Sequence, residues 1–182
     1  MADAARSLPA VPGTPWMKAL PPAMRFILHA DAPARAAAAP VWGVECPEEA
    51  CRAKLQGSRA ALWMGPDEYL LIGTDEEARE TAFSSLDSAL GQMPHALVDV
   101  SHRQFALELS GPHAADILSG ACPLDLDLGE FPTGMCTRTV LAKADIVLWR
   151  TGEAVFHLEV WRSFSGYVSG LIREIAGEFY GA

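Results

Sequence analysis

The chain has 182 residues, 50% hydrophobic and 20% charged, an ordinary composition for a water-soluble globular protein with a buried core. Its 14 basic and 23 acidic residues give a net charge of -9, which excludes nucleic acid as the main partner because the basic footprint is missing. No window reaches the roughly 18 apolar residues of a membrane span, and the proline-rich start lacks a signal peptide's apolar run, so we expect a cytoplasmic protein with no membrane partner.

The first 25 residues predict an extended arm. They hold five of the 13 prolines and have no hydrophobic period. Residues 26–182 are then predicted to form one domain. Its first elements are possible strands at residues 25–28 and 41–44, on either side of an alanine-rich patch that ends at Pro40.

The next stretch predicts a β-hairpin followed by a helix. Apolar runs at residues 60–64 and 69–72 flank a turn that contains Pro66 and Asp67. Thr74 and Glu77 have the spacing of a capping box, and apolar residues then repeat at helical spacing until Gly91. We therefore expect a helix over residues 75–90.

The second half predicts more strands, two helices and one long loop. Strands at 95–101 and 104–109 precede a short helix that Gly111-Pro112 opens and Gly120 ends, and residues 121–136 form the longest loop. Residues 137–150 and 154–161 predict a long hairpin. The closing helix carries an apolar stripe of Phe164, Tyr167, Val168, Leu171, Ile172, Ile175 and Phe179. This mixture favours an α+β fold with a largely antiparallel sheet and helices packed on it.

Three polar residues stand close together in Asp99, Ser101 and His102, which raises the possibility of a hydrolase centre. Strand alternation places Asp99 and Ser101 on one side and His102 on the other, so the three do not form a triad. We expect a strand end, where the Asp99 and Ser101 side chains bind backbone N–H groups.

Standard cofactor motifs are missing from the sequence. It contains no P-loop, dinucleotide-binding glycine pattern, zincin helix or nucleophile elbow. The cysteines at positions 46, 51, 122 and 136 do not have a zinc spacing and are expected to be reduced. We predict no metal, no cofactor and no catalytic residue in this chain.

One face of the long hairpin is mixed in character and predicts a partner interface. Tryptophan among interspersed charges is typical of protein interfaces. The alternative is that the arm or a helix of the same chain covers this face. Arg162, at the join with the last helix, could offer a forked donor to a neighbouring carboxylate, while Ser163 is expected to cap that helix. The predicted interface residues are Lys143, Trp149, His157, Glu159, Trp161 and Arg162.

A series of short motifs, in order, resembles a known family. They are GPDEYLLIG from Gly65, DVSH from Asp99, GPHAADIL from Gly111, CPLDL from Cys122, FPTG from Phe131, CTRT from Cys136 and WRSF from Trp161. Over residues 62–179 the chain resembles the gamma subunit of heterotetrameric sarcosine oxidase and, more distantly, the folate-binding aminomethyltransferase of the glycine cleavage system.

The resemblance implies a non-catalytic structural subunit with an aminomethyltransferase-like fold. The whole complex would oxidise sarcosine to glycine, release hydrogen peroxide and pass the one-carbon unit to tetrahydrofolate. It would hold FAD, FMN and NAD on its alpha and beta subunits and zinc on its delta subunit, and these three subunits would be the partners of this chain.

The resemblance also implies an alternative, a stand-alone folate-binding protein of the aminomethyltransferase kind. Those enzymes carry a glycine pair and then an aspartate pair on the strand that contacts folate. The corresponding residues here are 142–145, where the glycines are absent and only Asp145 remains. Asp145 is thus the one folate candidate, and Lys143 or His157 could instead be its neighbours.

Overall fold

A computed structural model of the chain describes residues 13–181, and these form two compact units. The N-terminal unit comprises residues 22–102, and the C-terminal unit comprises residues 13–21 and 103–181. In chain order the elements are β1 (Met17–Ala19), β2 (Met24–Ala30), α1 (Ala32–Trp42), β3 (Ala53–Gln56), β4 (Arg59–Gly65), β5 (Glu68–Gly73), α2 (Arg79–Leu90), β6 (His95–Asp99), β7 (Gln104–Ser110), α3 (Ala114–Ser119), β8 (Cys136–Leu141), β9 (Ala144–Gly152), β10 (Val155–Trp161) and α4 (Ser165–Tyr180).

The predicted α+β class is confirmed, with the strands divided between two antiparallel sheets. The N-terminal unit has the strand order β3-β4-β5-β2-β6, and the C-terminal unit has the order β1-β7-β10-β9-β8. The units differ from the predicted division at residue 25. β1 pairs with β7, about ninety positions further along the chain, and β2 already begins at Met24. The rest of the predicted arm, residues 1–12, lies outside the described residues.

The predicted strand at residues 41–44 is wrong, because α1 extends to Trp42 and ends at Gly43. The Asp31 carboxylate accepts a hydrogen bond from the Ala34 N–H at 3.1 Å and caps the helix. Alanine is the best helix former, and Gly43, with φ of 81°, ends the helix in the left-handed conformation. The apolar residue Trp42 packs into the core from the last turn of α1, and its indole N–H donates to the Ala60 carbonyl.

The predicted hairpin and the end of α2 are confirmed, whereas the predicted capping box is not formed. β4 and β5 pair around the expected turn, and α2 ends at Gly91. The segment begins instead with a 3₁₀ turn over Glu76–Ala78, and neither that turn nor α2 has a side-chain cap. The core of this unit joins α1 and α2 to one face of the sheet through Phe26, Leu28, Trp42, Leu71 and Leu86.

The C-terminal unit builds its core between one sheet face and the helices α3 and α4. Buried residues of that face include Leu107, Leu148 and Leu158, and they belong to the same cluster as Ile117 of α3 and Ile172 of α4. The predicted strand β7 and the Gly120 end of α3 are confirmed, although α3 begins at Ala114, two residues after Pro112. The core thus fixes α4 against the sheet.

The predicted strand over residues 137–150 is wrong, because the chain turns within it. β8 and β9 are separate antiparallel strands joined at Ala142 and Lys143, and Ala142 has a φ of 50°. A turn restarts the alternation of faces, so Leu141 is buried while Val140 is 37% exposed. Lys143 therefore lies in a turn instead of on a strand.

The start and the stripe of α4 also differ from the prediction. Ser163 belongs to a 3₁₀ turn over Arg162–Phe164, and α4 begins at Ser165 without a side-chain cap. The buried stripe centres on Val168, Ile172 and Ala176, as helical geometry requires. The aromatic residues that the sequence placed on the stripe are partly exposed, namely Phe164, Tyr167 and Phe179.

The long loop before β8 is held by one buried arginine. Arg150 of β9 donates from its guanidinium to the carbonyls of Leu126 and Phe131, at 3.1 and 2.6 Å. Its side chain also lies over the Phe156 ring, with 4.7 Å to the ring centroid. A buried charge with several backbone acceptors is well satisfied, so the loop has a defined path despite its irregular sequence.

Replacing the α1 cap should weaken the fold by a measurable amount. We expect Asp31→Ala to lower the free energy of unfolding by about 1 kcal/mol, because the Ala34 N–H loses its acceptor. Urea denaturation of the purified chain measures this change. Asp75→Ala is the matched control, since Asp75 precedes the 3₁₀ turn without capping it, and a cost for Asp75 equal to that for Asp31 would contradict the assignment.

Candidate functional site

The Asp99, Ser101 and His102 group is a strand end, as the sequence predicts. The Asp99 carboxylate accepts from the Ser101 N–H at 2.9 Å and from the Ser101 hydroxyl at 2.6 Å. The Ser101 Oγ accepts in turn from the Arg25 N–H at 2.9 Å, and Arg79 of α2 binds Asp99. His102 is exposed and makes no hydrogen bond with Asp99 or Ser101 in the described residues. The group therefore connects β6, β2 and α2.

Electrostatics at Asp99 agree with this structural role. Burial favours the neutral acid, but the hydrogen bonds from Ser101 and the Arg79 guanidinium outweigh it and hold the pKa of Asp99 below its ordinary value. The carboxylate is thus charged at neutral pH and has its acceptor sites filled. Nothing in this geometry activates the Ser101 hydroxyl as a nucleophile.

Three of the predicted interface residues form a contact on the sheet of the C-terminal unit. Trp149 of β9 and His157 of β10 are cross-strand partners, and their ring centroids are 5.7 Å apart. The His157 Nε2 lies 2.7 Å from the Glu159 carboxylate. Trp149 is 8% exposed and Glu159 is 1% exposed. These side chains are therefore available to a partner only to a small extent.

The other predicted residues lie at the ends of the strands and reach solvent. Trp161 is 46% exposed at the end of β10, and the Arg103 guanidinium lies 5.3 Å from its ring centroid. The Arg162 N–H donates to the Arg103 carbonyl at 2.8 Å, which holds the two arginines side by side. The structure thus separates the largely buried Trp149, His157 and Glu159 from the other three predicted residues. These are Lys143 in the β8–β9 turn and Trp161 and Arg162 at the β10–α4 junction.

Asp145, the folate candidate, is exposed near the start of β9 and pairs with Val140 in the strand register. It forms no ion pair with Lys143 or His157 within residues 13–181, and the partner of His157 is Glu159. Within residues 13–181, neither side chain is therefore an ion-pair partner of Asp145. The turn at Lys143 and the pairing of His157 with Glu159 explain why.

The sequence pattern did not identify two residues at the β10–α4 junction as surface residues. Phe164 is 39% exposed and Tyr167 is 41% exposed, and their rings are 6.4 Å apart. Helical periodicity placed both on the buried stripe. A weak signal was available in Gly166 and Gly170, because two glycines on one side of a helix leave that side without side chains to bury.

The N-terminal unit carries a groove of about 810 Å³ between α1 and β3. Its basic side chains already have partners, since Arg35 binds Asp67 at 2.6 Å and Lys54 binds Glu45 at 2.9 Å. Burial raises the pKa of the Cys46 thiol to about 11, although Arg35 and Lys54 act in the opposite direction. A protonated thiol is a poor nucleophile and a poor metal ligand.

Residues 13–181 contain neither a cluster of metal-ligating side chains nor a membrane-spanning helix. No three side chains of His, Cys, Asp or Glu come together there as a metal site would require. None of the four cysteines is in a disulfide. Over the same residues, no helix has the length and hydropathy needed to cross a bilayer.

Comparison with known proteins gives a consistent result for sequence and for fold. Residues 28–178 match the model of the family described as sarcosine oxidase, gamma subunit. Sarcosine oxidase subunit gamma of Corynebacterium sp. (strain U-96) is 37% identical over 123 residues, 68% of this chain and 58% of that protein. The corresponding Arthrobacter subunit is 38% identical over 99 residues, 54% of this chain and 47% of that protein. The matched part of the chain thus spans about half to three-fifths of the length of these curated relatives.

Comparison with solved structures agrees with the sequence matches. A chain of the heterotetrameric sarcosine oxidase from Corynebacterium sp. U-96, in complex with pyrrole 2-carboxylate, has a TM-score of 0.84 and 32% identity to this chain. That match covers 91% of this chain and 85% of the other. The aminomethyltransferase T of the Bartonella henselae glycine cleavage system matches with a TM-score of 0.67 and 12% identity, over 86% of this chain and 44% of that one, which concerns the fold alone. Both resemblances drawn from the motifs are confirmed.

Removing the Asp99 charge should make the fold less stable in a pH-dependent manner. We expect Asp99→Asn to lower the free energy of unfolding at pH 7 by about 1.5–3 kcal/mol, the range for hydrogen bonds to charged groups. Because the pKa of Asp99 is depressed in the folded state, the wild-type advantage should be full above the unfolded pKa of about 3.9 and decline as the pH falls below it.

Urea denaturation of both proteins between pH 7 and pH 3 measures this dependence. Asp87→Asn is the control, because Asp87 is a largely exposed carboxylate of α2, 3.8 Å from His95, and exposed pairs contribute little. An Asp99→Asn protein as stable as the wild type at pH 7 would contradict the assigned role.

Proposed function

The chain belongs to the sarcosine oxidase gamma subunit family, and on this premise we propose that it is a non-catalytic structural subunit of a heterotetrameric sarcosine oxidase. The complex oxidatively demethylates sarcosine to glycine, releases hydrogen peroxide and transfers the one-carbon unit to tetrahydrofolate. The observation that carries the proposal is the shared fold with a chain of such an oxidase, with a TM-score of 0.84 over 91% of this chain.

We assign the cofactors of this reaction to the partner chains. FAD, FMN and NAD belong to the alpha and beta subunits and zinc belongs to the delta subunit. The residues of this chain do not fit these groups, since its sequence has no dinucleotide-binding glycine pattern and residues 13–181 gather no three metal-ligating side chains. The chain's contribution would be to assembly.

The contact with a partner subunit is proposed at the exposed part of the predicted interface. Lys143 lies in the β8–β9 turn, and Trp161 and Arg162 lie at the end of β10. Trp149, His157 and Glu159 would act behind them by fixing the strands that carry them. Tryptophan and arginine are the side chains that most often dominate binding energy at interfaces.

We place the assembly in the cytoplasm. Four thiols without a disulfide suit a reducing compartment, where cysteines stay reduced.

The isolated chain should produce no peroxide from sarcosine, because its residues supply no electron acceptor. Co-expressed with the alpha subunit of its own oxidase, it should elute with that subunit in size-exclusion chromatography. The complete complex is the positive control for peroxide formation. Separation of the two chains at micromolar concentration would contradict the proposal.

The alternative of a stand-alone folate-binding protein rests on Asp145, which is exposed at the start of β9. We expect isothermal titration calorimetry of the isolated chain with tetrahydrofolate to give no saturable heat. An exposed carboxylate without converging polar groups does not make a binding pocket. Saturable binding that Asp145→Asn abolishes would favour the alternative over the structural subunit.

A further inference from the structure

An exposed aromatic cluster lies where β10 leads into α4. We define the junction patch as Arg103, Trp161, Phe164 and Tyr167. Its three aromatic side chains are 46%, 39% and 41% exposed, in chain order. Large apolar side chains gathered at one place on a surface, with a charge among them, are typical of a protein interaction site.

Contacts among its residues hold the side chains of the junction patch in place. The Arg103 guanidinium stacks over Trp161 at 5.3 Å, and Phe164 and Tyr167 meet edge to face with an interplanar angle of 79°. The backbone hydrogen bond from the Arg162 N–H to the Arg103 carbonyl joins the start of β7 to the end of β10. Side chains held in this manner lose little conformational entropy when a partner binds.

The charge of the patch is opposite to that of the chain as a whole. The protein carries a net charge of -9, yet the charged member of the junction patch is Arg103, and residues 100–107 and 160–167 contain neither Asp nor Glu. The positive end of the α4 dipole lies at the same place, because the N-terminus of α4 is at Ser165. The complementary surface is therefore apolar with carboxylates at its rim.

The adjoining side of α4 leaves room for close approach. Gly166 and Gly170 are exposed, and a Cβ added to either would meet no described atom within 4 Å. A partner could therefore come near the helix backbone beside Tyr167.

We propose that the junction patch is a docking surface for a partner protein that presents an apolar pocket rimmed by carboxylates. This proposal rests on the proposed function, and it makes that partner a neighbouring subunit of the oxidase. Trp161 fills the apolar pocket and Arg103 pairs with a rim carboxylate.

Association of the co-expressed complex, measured with patch variants of the full chain, tests the proposal. Trp161→Ala and Arg103→Glu should each weaken association by at least about tenfold, as expected for dominant contacts. Gly170→Glu should weaken it as well, through bulk and like charge, while the isolated chain keeps its thermal stability because glutamate suits an exposed helix position. Raising the salt concentration should weaken the wild type more than the Arg103→Glu protein.

Two control variants match these changes on the N-terminal unit. Arg52→Glu reverses a partly exposed arginine whose partner is the exposed Glu49, and Leu55→Ala removes a side chain that is 63% exposed on β3. Both should associate as the wild type does.

The outcomes separate the two proposals. A wild-type chain that does not associate overturns the proposed function and the docking surface together. Patch variants that associate as tightly as the wild type overturn the docking surface alone. If sedimentation shows the isolated chain to be a dimer that the patch variants dissociate, with assembly unchanged, the occupant is a second copy of this chain and the proposal is overturned.

Discussion

The pairing of β10 with β7 on one side and β9 on the other is the interaction on which the C-terminal unit depends. This strand gives the core Phe156, Leu158 and Val160 from one face, and from the other it carries His157 and Glu159. Its last residue, Trp161, reaches solvent, and the chain then turns directly into α4. Because β10 lies between two neighbours, its register fixes which of these side chains are buried and which remain accessible.

That register explains why the proposed docking surface lies at a strand end. Polar and apolar residues share the mixed face of β9 and β10, yet burial removes Trp149 and Glu159 from contact with solvent. A buried carboxylate requires a partner, and His157 supplies one. At the end of β10 the neighbouring residues are fewer, so Trp161 stays accessible and Arg103 covers one side of its ring. This arrangement suits the proposed assembly role, since a rigid sheet would hold an exposed aromatic contact in place.

Much of the fold could be predicted because it depends on short-range signals. The turn at Pro66 and Asp67, the end of α2 at Gly91 and the strand end at Asp99 and Ser101 are each decided within a few residues. Predictions failed where a local pattern admitted two structures. The apolar pair Val41 and Trp42 is as compatible with a buried strand as with the last turn of a helix. Near Ala142 the sequence keeps the apolar pattern of a single long strand, but the chain turns there and forms two strands.

The sequence by itself determined the α+β class, the order of most elements and, through the motif series, the family. Only the tertiary structure decided which side chains of the mixed face are exposed and that Arg150 organises the loop before β8. It also decided that Arg103 stacks on Trp161 and Phe164 on Tyr167 near the β10–α4 junction. The physical reason is the range of the interactions. Turns and helix ends depend on neighbours in sequence, whereas burial depends on strands and helices that pack together from distant parts of the chain.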